Sequence, residues 1–299
     1  MKPEISDPLQ RARLALEGLA LGDAFGECFF EPALVHRIPY REAPDGPWFY
    51  TDDTVMALSI VDVLAEHGQI EPDTLARLFA RRFRRQPHRG YGAGAMRLLD
   101  SIAAGADWRT ASPALFGGQG SMGNGGAMRA APVGAYFADD VERVVMEAAA
   151  SAYVTHAHPE GEAGAIAIAV GAAAACTLER SADRGPMLLE TAHRWTPDGA
   201  TRDGIAKAMT FDPSAAPEIV ATALGSGQNV LASDTVPFAL WSAAAHLDDF
   251  TDALWTTAGG LGDVDTTCAI VGGIVALSVG REGLPKEWLR RREPLDGWD

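Results

Sequence analysis

The stretch WFYTDDTVMALSIVDVLAEHG, residues 48–68, places two adjacent aspartates at the start of a long apolar pattern. Behind Asp52 and Asp53 the apolar residues recur at the spacing of an α-helix, and Gly68 is a typical helix end. The stretch therefore predicts a helix that begins at the two carboxylates. Neighbouring carboxylates repel each other, and one of them would be enough to cap the helix, so the pair needs a further explanation.

The same helical period runs through most of the chain, and strand-like alternation is confined to short fragments such as WFY at residues 48–50. We find no segment long or polar enough to link two domains. We therefore predict an all-α fold in which residues 1–299 form one compact domain. Asp73 is the expected N-cap of the third helix. The predicted helical segments are residues 8–27, 52–68, 71–85, 139–157, 161–180, 184–195, 216–225, 235–246, 250–262 and 265–280.

Apolar runs and cysteines indicate the compartment. The longest apolar run, residues 163–176, is short and rich in Ala and Gly, so it predicts a buried helix and not a membrane span. The N-terminus has no apolar segment of the signal-peptide type. Cys28, Cys176 and Cys268 are widely spaced and show no zinc-binding or C-x-x-C pattern, which is typical of reduced thiols. We expect a cytoplasmic protein.

The charge balance limits the possible partners. Lys and Arg number 25 and Asp and Glu number 40, so the formal net charge is −15. Such a field repels nucleic acid and anionic membranes, and we expect neither as a partner. One basic run, ARRFRRQPHRG, is predicted to be a solvated helix face instead of a nucleic-acid site. Its arginines are Arg81, Arg82, Arg84, Arg85 and Arg89.

A second acidic cluster lies near the other end of the chain, in GGLGDVDTTCAIVGGIVAL at residues 259–277. Asp263, Asp265 and Thr266 precede an apolar helix, just as residues 51–54 do. Helix capping alone would explain either cluster. The repetition favours a second interpretation, in which four carboxylates and neighbouring hydroxyls bind Mg²⁺ or Mn²⁺. Four carboxylates are more charge than one divalent ion needs, so two ions are expected, and the ligand type is also compatible with Ca²⁺.

A glycine-rich segment, GQGSMGNGGAMRAAPVG at residues 118–134, leads into a helical stretch. Backbone amides in such a segment can bind phosphate, although many glycine-rich loops have no such role. The segment matches neither a Walker loop nor a dinucleotide fingerprint. Further along, His156 and His158 form an H-x-H pair, for which a structural role is the commoner interpretation because no further zinc ligand can be placed.

These motifs together resemble the ADP-ribosylglycohydrolase family, which includes bacterial dinitrogenase reductase-activating glycohydrolases. The matching segments occur in the family's order: GLALGDAFG at residues 18–26, TDDT at 51–54, GSMGNGGAMRAAPVG at 120–134, THAHPEG at 155–161 and GDVDTTCAIVGGIVAL at 262–277. The resemblance implies an orthogonal all-α helical bundle with a two-metal cleft that binds ADP-ribose.

The resemblance also implies roles for individual residues. The metal ligands would be Thr51, Asp52, Asp53, Asp263, Asp265 and Thr266. The ADP-ribose contacts would be Gly120, Ser121, Met122, Gly123, Asn124, Gly125 and His156. Some relatives have an aromatic residue against the adenine where this chain has Met122. The metals would fix the distal ribose, and one carboxylate of the Asp52/Asp53 pair would hold or deprotonate the attacking water.

The chain departs from the family at one catalytic position. Several relatives have a glutamate eight residues after the glycine of G-D, where this chain has Phe30. Glu27 and Glu31 lie on either side of it, and either is a candidate for the missing carboxylate.

The implied activity is metal-dependent hydrolysis of a glycosidic bond with release of ADP-ribose. The substrate would be an ADP-ribosylated protein, modified on arginine or serine, or a small ADP-ribosyl compound. Two alternatives remain: a catalytically silent ADP-ribose-binding protein, and a hydrolase of another nucleoside-linked metabolite. All six metal positions hold a suitable residue, which favours an active enzyme.

Overall fold

The helical period of the sequence becomes helices throughout the computed structural model, which describes residues 7–179 and 181–297. The predicted boundaries at residues 1, 180 and 299 lie outside the described residues. In the described part, extended backbone pairs only at two isolated bridges, Trp48–Arg292 and Gly123–Leu231. The prediction of an all-α fold is confirmed. The α-helices are α1 (Pro8–Glu27), α2 (Pro32–Val35), α3 (Asp52–His67), α4 (Pro72–Arg85), α5 (Ala93–Ala103), α6 (Trp108–Ala111), α7 (Leu115–Gly118), α8 (Ala131–Tyr136), α9 (Val141–Tyr153), α10 (Pro159–Thr177), α11 (Arg184–Trp195), α12 (Ala200–Ala208), α13 (Pro217–Leu224), α14 (Ala232–Ala245), α15 (Phe250–Gly259), α16 (Val264–Val279) and α17 (Lys286–Arg291), and the 3₁₀ helices are Cys28–Phe30, Ile38–Tyr40, Asn124–Gly126 and Arg281–Gly283.

Helix ends follow local chemistry, and one predicted cap is wrong. Helix α3 ends at Gly68, which adopts the left-handed conformation that glycine tolerates best. The predicted N-cap of α4, Asp73, lies within the first turn instead. Glu71 caps that helix, because its carboxylate reaches the amide of Thr74 at 2.7 Å. The Asp73 carboxylate is used elsewhere, as an acceptor for the indole N–H of Trp108 at 2.8 Å.

The contact between α1 and α16 organises the core. Gly18, Gly22 and Gly26 recur every four residues of α1 and face α16. A Cβ atom on Gly22 would lie 2.0 Å from the carbonyl oxygen of Cys268, so only glycine permits this approach. The two helices therefore pack backbone to backbone. The last of these glycines, Gly26, lies against the start of α16. The acidic residues at the C-terminal end of α1 therefore come close to those that begin α16.

Helix α10 crosses the interior of the molecule and is buried over most of its length. Its sequence is almost entirely Ala, Gly, Ile and Val, and the expectation of a buried helix is confirmed. No helix in the described residues is both long and apolar enough to cross a membrane. Helices such as α5 and α12 were not predicted, since both begin after a glycine that provides no side-chain cap and their ends carry weak signals.

Candidate metal centre and substrate loop

The two acidic clusters meet at Asp53. This residue is buried in the first turn of α3, where its Oδ2 atom lies 3.2 Å from the hydroxyl of Thr51. The same oxygen accepts a hydrogen bond from the hydroxyl of Thr266, on α16, at 3.4 Å. One carboxylate oxygen thus contacts hydroxyl groups from both clusters, which are more than 200 residues apart in the chain (213 from Asp53 to Thr266).

A buried carboxylate on α1, that of Asp23, holds the first cluster in place. It accepts hydrogen bonds from the amide of Thr51 at 3.0 Å and from the amide of Thr54 at 3.1 Å. The hydroxyls of the same two threonines donate to it at 2.9 and 2.5 Å. The sequence analysis noted Asp23 only as part of the G-D motif and did not predict that it supports residues 51–54. The sequence signal for this role was an acidic residue on the otherwise apolar face of α1.

Capping does not account for the carboxylates. Helix α3 is capped by Thr51, whose hydroxyl accepts from the amide of Asp53, and Asp263 makes no capping hydrogen bond at the start of α16. Asp263 instead accepts from the side-chain amide of Asn124 at 2.7 Å. Asn124 also donates to Thr235 on α14 at 3.0 Å. A residue of the glycine-rich loop therefore orients a candidate metal ligand.

Burial and mutual repulsion disfavour ionisation throughout the cluster. Burial raises the pKa of Asp23 to about 6, against the opposing effect of its hydrogen bonds from the threonines. Burial and the charge of Asp23 raise the pKa of Asp52 to about 8. Burial, with the charges of neighbouring aspartates, raises the pKa values of Asp53 and Asp265 well above their usual range. In the absence of a cation this arrangement is electrostatically unfavourable.

The residues present fit divalent metal ions. In the described part of the chain, no three His, Cys, Asp or Glu side chains already converge on one point as a complete metal site would. However, Asp53 and Asp265 each leave one buried oxygen, Oδ1, without a hydrogen-bond partner. A buried charged oxygen without a partner costs free energy, and a divalent ion would satisfy it. The available donors are all carboxylate and hydroxyl oxygens, which suit Mg²⁺ or Mn²⁺.

The glycine-rich loop lies against the start of α10. Gly120 adopts a positive φ of 74°, and a Cβ atom there would lie 2.7 Å from the amide nitrogen of His158. A Cβ on Gly161 would lie 2.5 Å from the carbonyl oxygen of Ser121. Within residues 7–179 and 181–297, the amide groups of Ser121 and Met122 donate to no protein acceptor. The loop thus presents free N–H groups beside the positive end of a long helix.

His156 adjoins this loop and is held by Thr155. Its Nδ1 atom lies 2.7 Å from the hydroxyl of Thr155, which also accepts a hydrogen bond from the buried Arg129 at 2.8 Å. The hydroxyl of Thr155 therefore joins His156 to Arg129, and the ring nitrogen Nε2 takes no part in this contact. Burial and the charge of Arg129 lower the pKa of His156 to about 3, so the ring is neutral. A Cβ atom on Gly125 would lie 2.9 Å from Nε2, which places this nitrogen at the loop.

The structure separates the two candidate glutamates. Glu27 ends α1, is half-buried, and has its pKa raised to about 7 by burial and by the charges of Asp23 and Asp263. Glu31 is exposed and caps the short helix α2, where it lies 3.5 Å from the amide of Ala33. Glu27 therefore belongs electrostatically to the acidic cluster, whereas the carboxylate of Glu31 is engaged at the start of α2.

The basic run divides into two groups. Arg81, Arg84 and Arg85 are exposed on α4, as expected of a solvated face. Arg82 is buried and pairs with Asp62 at 3.0 Å, and Arg89 is half-buried and pairs with Glu293. The prediction of a solvated face is wrong for these two, because each compensates a specific carboxylate within the fold.

The chain is similar in sequence and in fold to known ADP-ribosylhydrolases and a related solved structure. The chain is 29% identical to "ADP-ribosylhydrolase ARH3" of Danio rerio, an alignment that covers 97% of this chain and 88% of the relative. It is 27% identical to "ADP-ribosylarginine hydrolase Tri1" of Pseudomonas putida (strain GB-1), over 95% of this chain and 74% of that protein. A solved structure named "ADP-ribosylglycohydrolase-related protein complex" shares the fold, with a TM-score of 0.67 at 24% identity over 95% of this chain and 93% of the other.

The family model described as ADP-ribosylglycohydrolase matches residues 4–298. The motifs that suggested this family are the segments that form the acidic cluster and the loop beside it. The match spans nearly the whole chain, and the chain belongs to the ADP-ribosylglycohydrolase family.

Proposed function

We propose that this protein is a metal-dependent hydrolase that cleaves the glycosidic bond between ADP-ribose and its target, with residues 1–299 acting as one domain. The observation that supports the proposal most directly is the position of Asp53. Its Oδ2 atom contacts hydroxyls of both clusters while its Oδ1 atom is buried without a partner. A site built to bind cations explains both facts, and helix capping explains neither.

The six predicted ligands would hold two ions, Mg²⁺ or Mn²⁺. When bound, such ions act as Lewis acids for the ribose hydroxyls and for water. The chain contributes four carboxylates and two threonine hydroxyls from the starts of α3 and α16. Asp23 and Asn124 orient these ligands without being among them, since their hydrogen bonds go to Thr51, Thr54 and Asp263.

The glycine-rich loop, which lies within residues 118–134, would bind the diphosphate of ADP-ribose. The free amides of Ser121 and Met122 would be donors, and Nε2 of the neutral His156 lies beside the same loop. None of these groups adds a negative charge. A neutral histidine is suited to this task across the physiological pH range, because its pKa is near 3. Gly120, Gly123 and Gly125 allow the backbone to approach the ligand closely.

Proton transfer is assigned to the carboxylates around the ribose. One member of the Asp52/Asp53 pair would accept a proton from the attacking water. Glu27, with a pKa raised to about 7, is the better of the two glutamate candidates for donating a proton to the leaving group. Glu31 has the weaker case, since it is exposed and occupied with capping α2.

The proposal is tested by incubating the protein with an ADP-ribosyl-arginine protein and with an ADP-ribosyl-serine peptide, in Mg²⁺, Mn²⁺ or EDTA. Release of ADP-ribose in metal that EDTA, Asp52→Ala and Asp265→Ala each abolish would support it and identify the linkage. The relatives named as an ADP-ribosylhydrolase and as an ADP-ribosylarginine hydrolase make these two substrates the first choice. Metal-dependent binding of ADP-ribose without release from either substrate would contradict activity on these two linkages and favour another linkage or the silent binding protein.

A further inference from the structure

The C-terminal segment reaches the first acidic cluster through one glutamate. After α17 the chain passes beside residues 48–50, where the amide of Trp48 donates to Arg291 at 2.7 Å and the amide of Glu293 donates to Trp48 at 2.9 Å. These two hydrogen bonds place the Glu293 carboxylate beside Tyr50. That residue directly precedes the TDDT motif of residues 51–54.

Glu293 and Arg89 together clamp the backbone of Tyr50. One carboxylate oxygen of Glu293 accepts the amide of Tyr50 at 3.0 Å. The guanidinium of Arg89 donates to the carbonyl of Tyr50 at 2.8 Å and lies 4.4 Å from the centre of its ring. Glu293 pairs with this guanidinium through both of its oxygens, the second at 3.2 Å. Both polar groups of one peptide residue are thus held by a single half-buried ion pair.

Arg89 also holds the next part of the motif through its own backbone. Its carbonyl oxygen accepts the amide of Asp52 at 2.6 Å, which satisfies an N–H group that the first turn of α3 leaves without a helical partner. The backbone of Asp52 is therefore fixed through Arg89, and Arg89 is oriented by Glu293. The three residues form a continuous chain of contacts from the C-terminal segment to a candidate metal ligand.

The charge of Glu293 has a second effect. Arg89 lies within electrostatic reach of Asp23, and an unpaired cation at this point would compete with metal ions for the carboxylates. Pairing with Glu293 removes that competition and keeps the guanidinium on Tyr50. Without Arg89, the carboxylate of Glu293 would add to the repulsion around the acidic cluster in a chain with net charge −15.

We propose that Glu293 is a positioning residue for the metal centre, which it supports by holding Arg89 and Tyr50 and, through them, Asp52. The inference rests on the proposed function, because it assumes that the acidic cluster binds divalent ions. Glu293 itself contacts neither the cluster nor a substrate.

The test is a calorimetric titration of the metal-free full chain with Mn²⁺. Glu293→Gln keeps the size of the side chain and removes its charge, and we expect the dissociation constant for Mn²⁺ to rise about 10-fold or more. Glu293→Asp should recover part of the loss. The concentration of Mn²⁺ that half-activates hydrolysis should rise in parallel, with kcat restored at saturating Mn²⁺.

A matched control lies beyond the C-terminal end of α3, whereas residues 51–54 lie at its start. Glu147 also accepts a backbone amide, that of Ile70 at 2.7 Å, and pairs with Arg143 at 3.4 Å. Glu147→Gln should leave Mn²⁺ affinity unchanged. Hydrogen exchange of residues 48–55 should be faster in metal-free Glu293→Gln than in the parent or in Glu147→Gln. Arg89→Lys, which breaks the clamp from its other side, should show the same changes if Glu293→Gln fails to fold.

Unchanged Mn²⁺ affinity and unchanged exchange in both Glu293→Gln and Arg89→Lys would overturn this inference alone. Failure of the parent protein to bind Mn²⁺ or Mg²⁺ would overturn the proposed function together with the inference. Equal losses of affinity in Glu293→Gln and Glu147→Gln would also overturn it, since a general loss of stability would then be the cause.

Discussion

The two acidic clusters look alike in sequence, yet the fold supports them differently. The cluster at α3 is held by four hydrogen bonds to Asp23 and by the carbonyl of Arg89 on the amide of Asp52. The cluster at α16 has two external supports: the side-chain amide of Asn124 donates to Asp263 at 2.7 Å, and the backbone amide of Asp263 donates to the carbonyl of Ser226 at 2.9 Å. The first cluster is held by contacts from α1 and Arg89, whereas one of the two supports of the second comes from the glycine-rich loop.

This difference suggests how ligands and metals are coupled. The contacts that hold the α3 cluster come from Asp23 and Arg89 and include no residue of the glycine-rich loop. The α16 cluster shares Asn124 with the loop that we propose binds ADP-ribose, so occupancy of the loop can influence the orientation of Asp263. The following experiments test whether the two clusters differ in this way.

The largest expected effect is the pH dependence of the metal-free protein. The pKa values of Asp23, Glu27 and Asp52 are raised to about 6, 7 and 8, so the folded protein holds protons that the unfolded chain releases at lower pH. Stability is then greatest at low pH and is lost as the pH rises through these values. We expect the unfolding free energy in EDTA to fall from about pH 5 to about pH 8.

Saturating Mn²⁺ should weaken or reverse this trend, because metal binds the deprotonated carboxylates. Urea denaturation at several pH values, with EDTA or with Mn²⁺, measures both curves. Stability in EDTA that rises over the same interval would show that the cluster is not a group of strained buried acids.

The next effect concerns the support of the α3 cluster. Asp23→Ala removes the acceptor of two amides and two hydroxyls that are buried, and we expect a loss of about 3 kcal/mol or more in unfolding free energy. Asn124→Ala removes one donor to each of Asp263 and Thr235 and should cost about 1 kcal/mol. Chemical denaturation of both variants gives the comparison. Equal losses would mean that the two clusters are supported alike.

A smaller effect is expected where α1 meets α16, since this contact brings the clusters together. Gly22→Ala would place a Cβ atom 2.0 Å from the carbonyl of Cys268 and should cost about 2 kcal/mol. Gly92→Ala, where no atom lies within 4 Å of the added Cβ, should change stability by less than about 0.5 kcal/mol. Thermal unfolding compares the two. If Gly22→Ala is as stable as Gly92→Ala, the helix contact does not require glycine.

The smallest effect is a gain in stability. Asp265 has a buried oxygen without a partner, and its pKa is raised by burial and by Asp263, so Asp265→Asn should stabilise the protein in EDTA by about 1 kcal/mol. The matched change at an exposed aspartate, Asp100→Asn, should have almost no effect. In Mn²⁺ the order of parent and Asp265→Asn should reverse. Destabilisation of Asp265→Asn in EDTA would indicate that this carboxylate has a structural role instead.

Much of the fold was predictable because helical period is a local property. The boundaries of α1 and α11 agree with the prediction, and apolar spacing also located α3 and α16. The wrong cap at α4 has a physical cause: Glu71 and Asp73 are both suitable acids two positions apart, and the Asp73 carboxylate is engaged by Trp108. A contact across the fold decided between two equivalent local signals.

The sequence by itself determined the helical class and the family, and it predicted an oxygen-rich ligand set, because each depends on residue types at short spacing. Only the tertiary structure decided that Asp23 supports residues 51–54, that Asp53 meets Thr266, and that Glu27 lies within the field of the acidic cluster while Glu31 caps α2. The tertiary structure also decided the contacts that connect Glu293 to Arg89 and Arg89 to Asp52. Those contacts join residues that are far apart in the chain, and hydrogen bonding and desolvation depend on distances that exist only after helices such as α1 and α16 have packed together.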